Sequence, residues 1–98
     1  NPQAMRELID QIRHKTSASA VLLAGRQDEG KVLLVAGVSR ELVKKGLDAV
    51  KWVKSAAAIV GGGGGGRPDM AQAGGKDAQK LPEALETARK TIEQMLGA

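Results

Sequence analysis

The chain has 98 residues, a formal net charge of +4, no cysteine and one aromatic residue, Trp52. The length indicates one small domain, and the scarcity of aromatic residues indicates a modest aliphatic core. The absence of cysteine excludes disulfides and thiolate chemistry. No apolar run is long enough to span a membrane and no signal-peptide pattern opens the chain, so we expect a cytoplasmic protein without membrane contact. The basic excess has two interpretations: a surface that binds nucleic acid, or an ordinary solvated surface rich in lysine.

The first predicted element is an amphipathic helix over residues 3 to about 15. Its apolar side chains recur at helical spacing and are Met5, Leu8, Ile9 and Ile12. His14 is the only histidine, and without other ligand types around it we expect a structural or solvated role and no metal site.

Two apolar runs, 20–25 and 31–38, follow a polar link and are separated by a charged segment that ends in Gly30. This pattern predicts a β-hairpin. Because the runs are apolar almost continuously, we expect both faces of these strands to be covered, or the strands to be central.

The next segment, 40–60, has a helical pattern with Ser39 as its expected N-cap. Gly46 and Leu47 are where it would divide into a short and a longer helix. The basic side of the helical wheel carries Arg40, Lys44, Lys51 and Lys54. This side is either a phosphate-contacting surface or a solvated face, and the sequence pattern leaves both open.

A glycine run ends this helix, and it consists of Gly61, Gly62, Gly63, Gly64, Gly65 and Gly66. Gly61 suits a helix C-cap, but one glycine suffices for that role. The others would form a flexible hinge, a segment crossing close under a helix, or a phosphate cradle beside Arg67. The run lacks the Lys-Ser/Thr ending of a P-loop and follows a helix, unlike a dinucleotide-binding loop.

Residues 70–74 predict a third short strand, and a final helix begins at Asp77. Its expected buried stripe is Leu81, Leu85, Ala88, Ile92, Met95 and Leu96, with an exposed Glu86–Lys90 ion pair. The predicted fold is therefore α/β (α+β), in the order α-β-β-α-β-α, with a small sheet made of the antiparallel hairpin and a third strand. A third strand parallel to the second would need a right-handed crossover.

Catalytic chemistry is not indicated. With one histidine, no cysteine and no paired carboxylates, the chain cannot assemble a nucleophile–base set. Asp69 beside Arg67 is better explained as a loop ion pair or turn cap. We therefore expect a non-catalytic chain that has no metal site and no cofactor of its own.

The string Gly-Gly-Gly-Gly-Arg-Pro-Asp-Met-Ala-Gln-Ala-Gly-Gly, residues 63–75, resembles the signature of the carboxy-terminal domain of bacterial alanyl-tRNA synthetases. That domain belongs to the DHH-associated family, whose members are also found at the carboxy-terminal end of DHH phosphodiesterases and RecJ-type exonucleases. The resemblance extends from about Ala20 to the end. Since the chain does not begin with Met, we expect a piece of a longer protein.

The resemblance implies a globular DHH-associated domain at residues 18–98, preceded at 1–17 by the end of a helical segment or linker. It implies a module that binds the outer corner of tRNA-Ala and helps couple aminoacylation with editing. The parent would be an alanine–tRNA ligase, with ATP and zinc bound only in its other parts. The residues expected at RNA are Arg40, Lys44, Lys51, Lys54, Arg67 and Lys76, beside the glycine run.

Two alternatives stay open. One is a module that docks other synthetase domains or forms a homodimer. The other is the nucleic-acid-binding accessory domain of a DHH-type phosphodiesterase or exonuclease. The hydrolases carry His after the glycine run, where this chain has Arg67, and this difference favours the synthetase resemblance.

Overall fold

The structure, a computed structural model, describes residues 2–15 and 18–97. The helices are α1 (Pro2–Lys15), α2 (Arg40–Lys44), α3 (Ala49–Ile59) and α4 (Leu81–Met95), and the strands are β1 (Ala20–Arg26), β2 (Val32–Val38), β3 (Gly63–Arg67) and β4 (Met70–Gly75). Short 3-10 turns lie at Asp28–Gly30 and Ala78–Lys80. The mixed helix-and-strand class and the predicted element order are confirmed. The predicted boundary between 1–17 and 18–98 falls on residue 17, outside the described residues.

All four strands form one antiparallel sheet in the order β1-β2-β4-β3. The predicted hairpin is confirmed, with a register that runs from Ala20 opposite Val38 to Arg26 opposite Val32. The third predicted strand, β4, is antiparallel to β2, so the condition for a right-handed crossover is not met. The chain first passes to the edge of the sheet as β3 and then reverses through Pro68 and Asp69, so β4 returns antiparallel between β3 and β2.

Helices cover both faces of the sheet. β2 is buried along its whole length, as its apolar run predicts. On one face Leu34 and Ala36 join the main core with Trp52 and Val53 of α3. On the other face Ile9 of α1 is 0% exposed and packs in a second cluster, together with Leu33 and Val35.

The predicted division of the 40–60 segment is confirmed, since α2 ends at Lys44 and α3 begins at Ala49. Gly46 has a φ of +106°, and Leu47 is buried. Ser39 holds the N-cap position of α2, but its Oγ accepts the Ser19 N–H at 3.1 Å and makes no capping hydrogen bond. The side-chain cap belongs to Asp48, whose Oδ1 accepts the Val50 N–H at 2.8 Å.

The buried stripe of α4 is narrower than predicted. Leu81, Ala84 and Ala88 are buried, whereas Leu85 and Leu96 are 42% and 59% exposed, so their predicted burial was wrong. The small Ala side chains let α4 lie close to α3, where Trp52 Nε1 donates to Ala88 O at 2.9 Å.

The predicted Glu86–Lys90 pair is also replaced. Glu86 pairs with Arg89, which in turn pairs with Glu93 at 2.5 Å. The planar guanidinium fork reaches both carboxylates at once, which one ammonium does less well.

Candidate functional site: the glycine strand and the cations around its turn

Four of the six glycines, residues 63–66, belong to strand β3, which corrects the prediction of a hinge or loop. Gly61 has a φ of +70° and ends α3, as predicted. Gly61 N–H donates to Ala58 O at 3.4 Å and Gly62 N–H to Ala57 O at 2.9 Å, the pattern of a Schellman cap. β3 then pairs with β4 at the sheet edge.

Close approach to the neighbouring strand explains alternate glycines. A Cβ on Gly62 would lie 1.7 Å from Gly74 O, and one on Gly64 would lie 2.1 Å from Gln72 O. A Cβ on Gly66 would lie 2.6 Å from Met70 O. The backbone that these glycines approach is therefore that of β4, and β3 also lies close to α3.

The intervening glycines leave one side of β3 open. A Cβ on Gly63 or Gly65 would have no neighbouring atom within 4 Å. Because β3 is an edge strand, alternate backbone N–H and C=O groups also lack a partner strand. This edge therefore offers bare backbone to a ligand.

Three elements hold the β3–β4 turn in place. Pro68 O accepts the N–H of Ala49, the first residue of α3, at 2.9 Å. Asp69 O accepts the Val38 N–H at 2.9 Å and Arg13 Nη1 at 3.0 Å. The side chains that flank this turn are consequently attached to a fixed backbone.

Three of the six cations predicted for RNA binding meet beside this turn. Arg40, Lys44 and Arg67 line a depression of about 350 Å³, which we call the cation depression. Val43 and Pro68 supply its apolar part, and Asp69 contributes one carboxylate. All three cations are exposed at the surface.

The other three predicted cations do not line the cation depression. Lys51 and Lys54 are exposed and lie three residues apart, on the same side of α3. Lys76 follows β4, and its backbone lies beside Gly30 of the β1–β2 connection, at the opposite end of the sheet from the β3–β4 turn.

A second cationic cavity was missed by sequence reasoning. Arg6 and Arg13 of α1, together with Arg67, line a space of about 370 Å³ above Gly65 and Gly66. We call this space the arginine cleft. The available signal was the seven-residue spacing of Arg6 and Arg13, which puts both on one side of a helix.

Other chemistry is limited. Among residues 2–15 and 18–97, no group of three or more His, Cys, Asp or Glu side chains could hold a metal ion. Trp52 is 5% exposed and therefore cannot serve as a stacking platform. None of the described helices is long and apolar enough to cross a membrane.

Comparison with known proteins identifies the class. The chain matches the DHHA1 domain family over residues 1–94 and belongs to that family. It is 61% identical over 98 residues to the alanine–tRNA ligase of Rhodopirellula baltica and 56% identical over 88 residues to that of Desulforudis audaxviator. These alignments cover 99% and 90% of this chain but 10% of each relative, so the chain spans about a tenth of their length.

The structure is similar to a solved domain of the same kind. It matches the crystal structure of the C-Ala domain from Aquifex aeolicus alanyl-tRNA synthetase with a TM-score of 0.81 and 35% identity. The match covers 100% of this chain and 83% of that one. The resemblance to the carboxy-terminal domain of alanyl-tRNA synthetases is thereby confirmed.

Proposed function

We propose that the chain is the tRNA-binding carboxy-terminal module of an alanyl-tRNA synthetase. Its parent would be a cytoplasmic alanine–tRNA ligase, and the module would help aminoacylation and editing act on one tRNA. The identity to alanine–tRNA ligases supports the parent's activity. The observation that carries the module's role is the convergence of Arg40, Lys44 and Arg67 on one depression.

The cation depression has the chemistry of an RNA backbone contact. Guanidinium and ammonium groups bind phosphates, and folded RNA is recognised largely through its shape, phosphates and 2′-hydroxyls. The apolar surfaces of Val43 and Pro68 line the same depression and would face a ribose or base edge. The rigid β3–β4 turn would keep Arg67 in position as RNA binds.

The module would hold tRNA and would not react with it. The described residues form no metal-ligand cluster. The ATP and zinc that the family resemblance implies would belong to other parts of the parent, as would the reacting groups. Other synthetase domains and tRNA-Ala are the proposed partners.

The test is binding of the 98-residue chain to tRNA-Ala and to an unrelated tRNA across a salt series. We expect weak binding to both, with the logarithm of affinity falling linearly with the logarithm of salt concentration. The double variant R40Q/K44Q should bind more weakly and lower the magnitude of the slope by about 1.5, since it removes two cations. The K51Q/K54Q variant tests separately whether the two predicted lysines of α3 contribute to tRNA binding.

The matched control is K80Q/K90Q, which removes two exposed cations from the 3-10 turn and α4. It carries the same change in net charge as R40Q/K44Q. Any loss of tRNA affinity that the two variants share therefore reflects the long-range electrostatic attraction and not a local contact. Equal losses in the two double variants, or no binding at low salt, would refute the proposed surface.

A docking or dimerisation role is the second candidate, and exposed leucines favour it. Leu8 of α1 is 47% exposed, and Leu85 and Leu96 are also exposed. Sedimentation of the chain without RNA distinguishes the roles: a mass that rises with concentration and falls back in Leu8→Gln would support docking through α1. A constant monomer mass would favour RNA binding over dimerisation as the role of the module.

A further inference from the structure

We propose that the arginine cleft is a second RNA-binding site, which holds one phosphate of the RNA backbone between α1 and β3. This inference rests on the proposed tRNA-binding function and adds the α1 residues Arg6 and Arg13 to the interface. It concerns a different cavity from the cation depression and does not involve the lysines of α2 and α3.

The charge of the cleft fits an anion. Three guanidinium groups, those of Arg6, Arg13 and Arg67, line it against one carboxylate, that of Asp10. Guanidinium is the cation whose forked donors match two oxygens of a phosphate. The carboxylate of Asp69 lies beside the cleft, 3.7 Å from Arg67 Nε and 4.0 Å from Arg13 Nη1. Three guanidinium groups therefore face two carboxylates, and a surplus of one positive charge remains.

Two of the guanidinium groups are held in place by the fold. Arg13 is 23% exposed and donates to Asp10 Oδ1 at 2.6 Å and to Asp69 O at 3.0 Å. Arg6 donates to Gln72 Oε1 across the cleft. Binding would therefore restrict few additional rotamers of these two side chains.

The third guanidinium, that of Arg67, is largely exposed to solvent and therefore accessible to a ligand. Arg67 is 79% exposed, and its Nε lies 3.7 Å from Asp69 Oδ1. It lines both the arginine cleft and the cation depression. One RNA strand crossing the β3–β4 turn would thus meet both sites.

The floor of the cleft is made of glycine backbone. Gly65 and Gly66 line it, and a Cβ on Gly65 would meet nothing within 4 Å. The missing side chain leaves room for a phosphate to approach β3. The residues that line the cleft include no aromatic ring, so a backbone group fits better than a stacked base.

The decisive variant is Gly65→Glu, which puts a carboxylate on the floor of the cleft without a positive φ to strain it. Its control is Gln79→Glu, the same charge change at an exposed site on the 3-10 turn before α4. We expect Gly65→Glu to weaken tRNA-Ala binding about tenfold and to lower the salt slope by about 1, while Gln79→Glu changes affinity by less than about twofold. The pair Arg6→Gln and Arg26→Gln repeats this comparison of a cleft residue with an exposed control, and it leaves the sequence of β3 unchanged.

A second readout does not need tRNA. Inorganic phosphate is titrated into the ¹⁵N-labelled chain, with the amides of Gly65 and Gly66 and the side-chain N–H signals of Arg6, Arg13 and Arg67 observed. We expect saturable shifts concentrated on these groups and lost in Gly65→Glu. Shifts spread evenly over the surface would overturn the site.

The outcomes separate the two proposals. If tRNA binds but Gly65→Glu and Gln79→Glu have equal effects, the cleft is refuted and the tRNA-binding function stands. If the wild-type chain fails to bind tRNA although phosphate shifts are concentrated in the cleft, the RNA ligand and the proposed function are both refuted, and a free-phosphate site remains. Folding of each variant is checked by urea denaturation followed through Trp52.

Discussion

Arg13 of α1 donates from Nη1 to the carbonyl oxygen of Asp69, in the turn between β3 and β4, at 3.0 Å. The same turn is bound by α3 through Ala49 and by β2 through Val38. Arg13 thereby fixes α1 relative to the segment that carries Arg67. Because Arg6 and Arg13 form the α1 side of the arginine cleft, this hydrogen bond also sets the shape of a candidate binding site.

Replacing Arg13 by Gln should lower the free energy of unfolding by about 1–2 kcal/mol, since a part-buried, charge-assisted hydrogen bond to Asp69 O is lost. Urea denaturation followed by Trp52 fluorescence measures this, because Trp52 is buried in the folded state. Lys15→Gln, an exposed cation on the same helix, is the control and should change stability by less than about 0.5 kcal/mol. Equal losses in the two variants would contradict the role of Arg13.

Gly37 lets α1 approach β2, and its replacement should be coupled to Ile9. A Cβ at Gly37 would lie 2.2 Å from Ile9 Cγ2, so Gly37→Ala should cost about 1–3 kcal/mol through overpacking. Ile9→Ala should cost about 2–4 kcal/mol because a fully buried side chain is truncated.

The double variant Ile9→Ala/Gly37→Ala tests the contact directly. It should be less destabilised than the two single losses predict when added, since the smaller side chain removes the clash. The three variants are compared by urea denaturation in one double-mutant cycle. Additive losses would show that α1 does not pack on Gly37.

Local periodicity predicted most of the elements. The apolar runs around Gly30 gave the hairpin, and the break near Gly46 gave two helices in place of one. β3 was missed because glycine has low strand propensity, and its pairing with β4 depends on backbone contacts that no side-chain pattern records. The exposure of Leu85 was missed because it depends on how closely α4 packs on α3.

The candidate site was predictable only in part. Arg67 stands out beside its glycine run, and the wheel of α2 gives Arg40 and Lys44. Arg13 belongs to a different stretch of sequence and reaches Asp69 across 56 positions. Such a contact depends on tertiary packing of α1, which a single sequence does not record.

The acid titration of α4 should depend on Arg89. Hydrogen bonding from Arg89 holds the pKa of the Glu86 carboxyl below its ordinary value. Since the folded-state pKa is depressed, the contribution of this pair to stability is present above the unfolded-state pKa and is lost as pH falls through the folded-state pKa.

Removing the guanidinium should reverse this shift. In Arg89→Gln, the pKa of Glu86 should rise toward its ordinary value, as measured by ¹³C NMR of the side-chain carboxyl. Lys90→Gln should raise it less, because Lys90 acts only through its charge and contributes less than Arg89. A larger effect from Lys90→Gln would indicate that the ion pair predicted from the sequence forms in solution.

The structure predicts that adjacent glycines of β3 differ sharply in their tolerance of a side chain. Gly64→Ala should cost more than about 2 kcal/mol, because its Cβ would lie 2.1 Å from Gln72 O and force β3 away from β4. A Cβ at Gly63 would have no neighbouring atom within 4 Å. Gly63→Ala should therefore be neutral or stabilising by up to about 1 kcal/mol, because alanine reduces the entropy of the unfolded chain. Urea denaturation of the two variants gives both values. If both are neutral, the run is a hinge and not a paired strand, since a mobile glycine segment would accept alanine at either position.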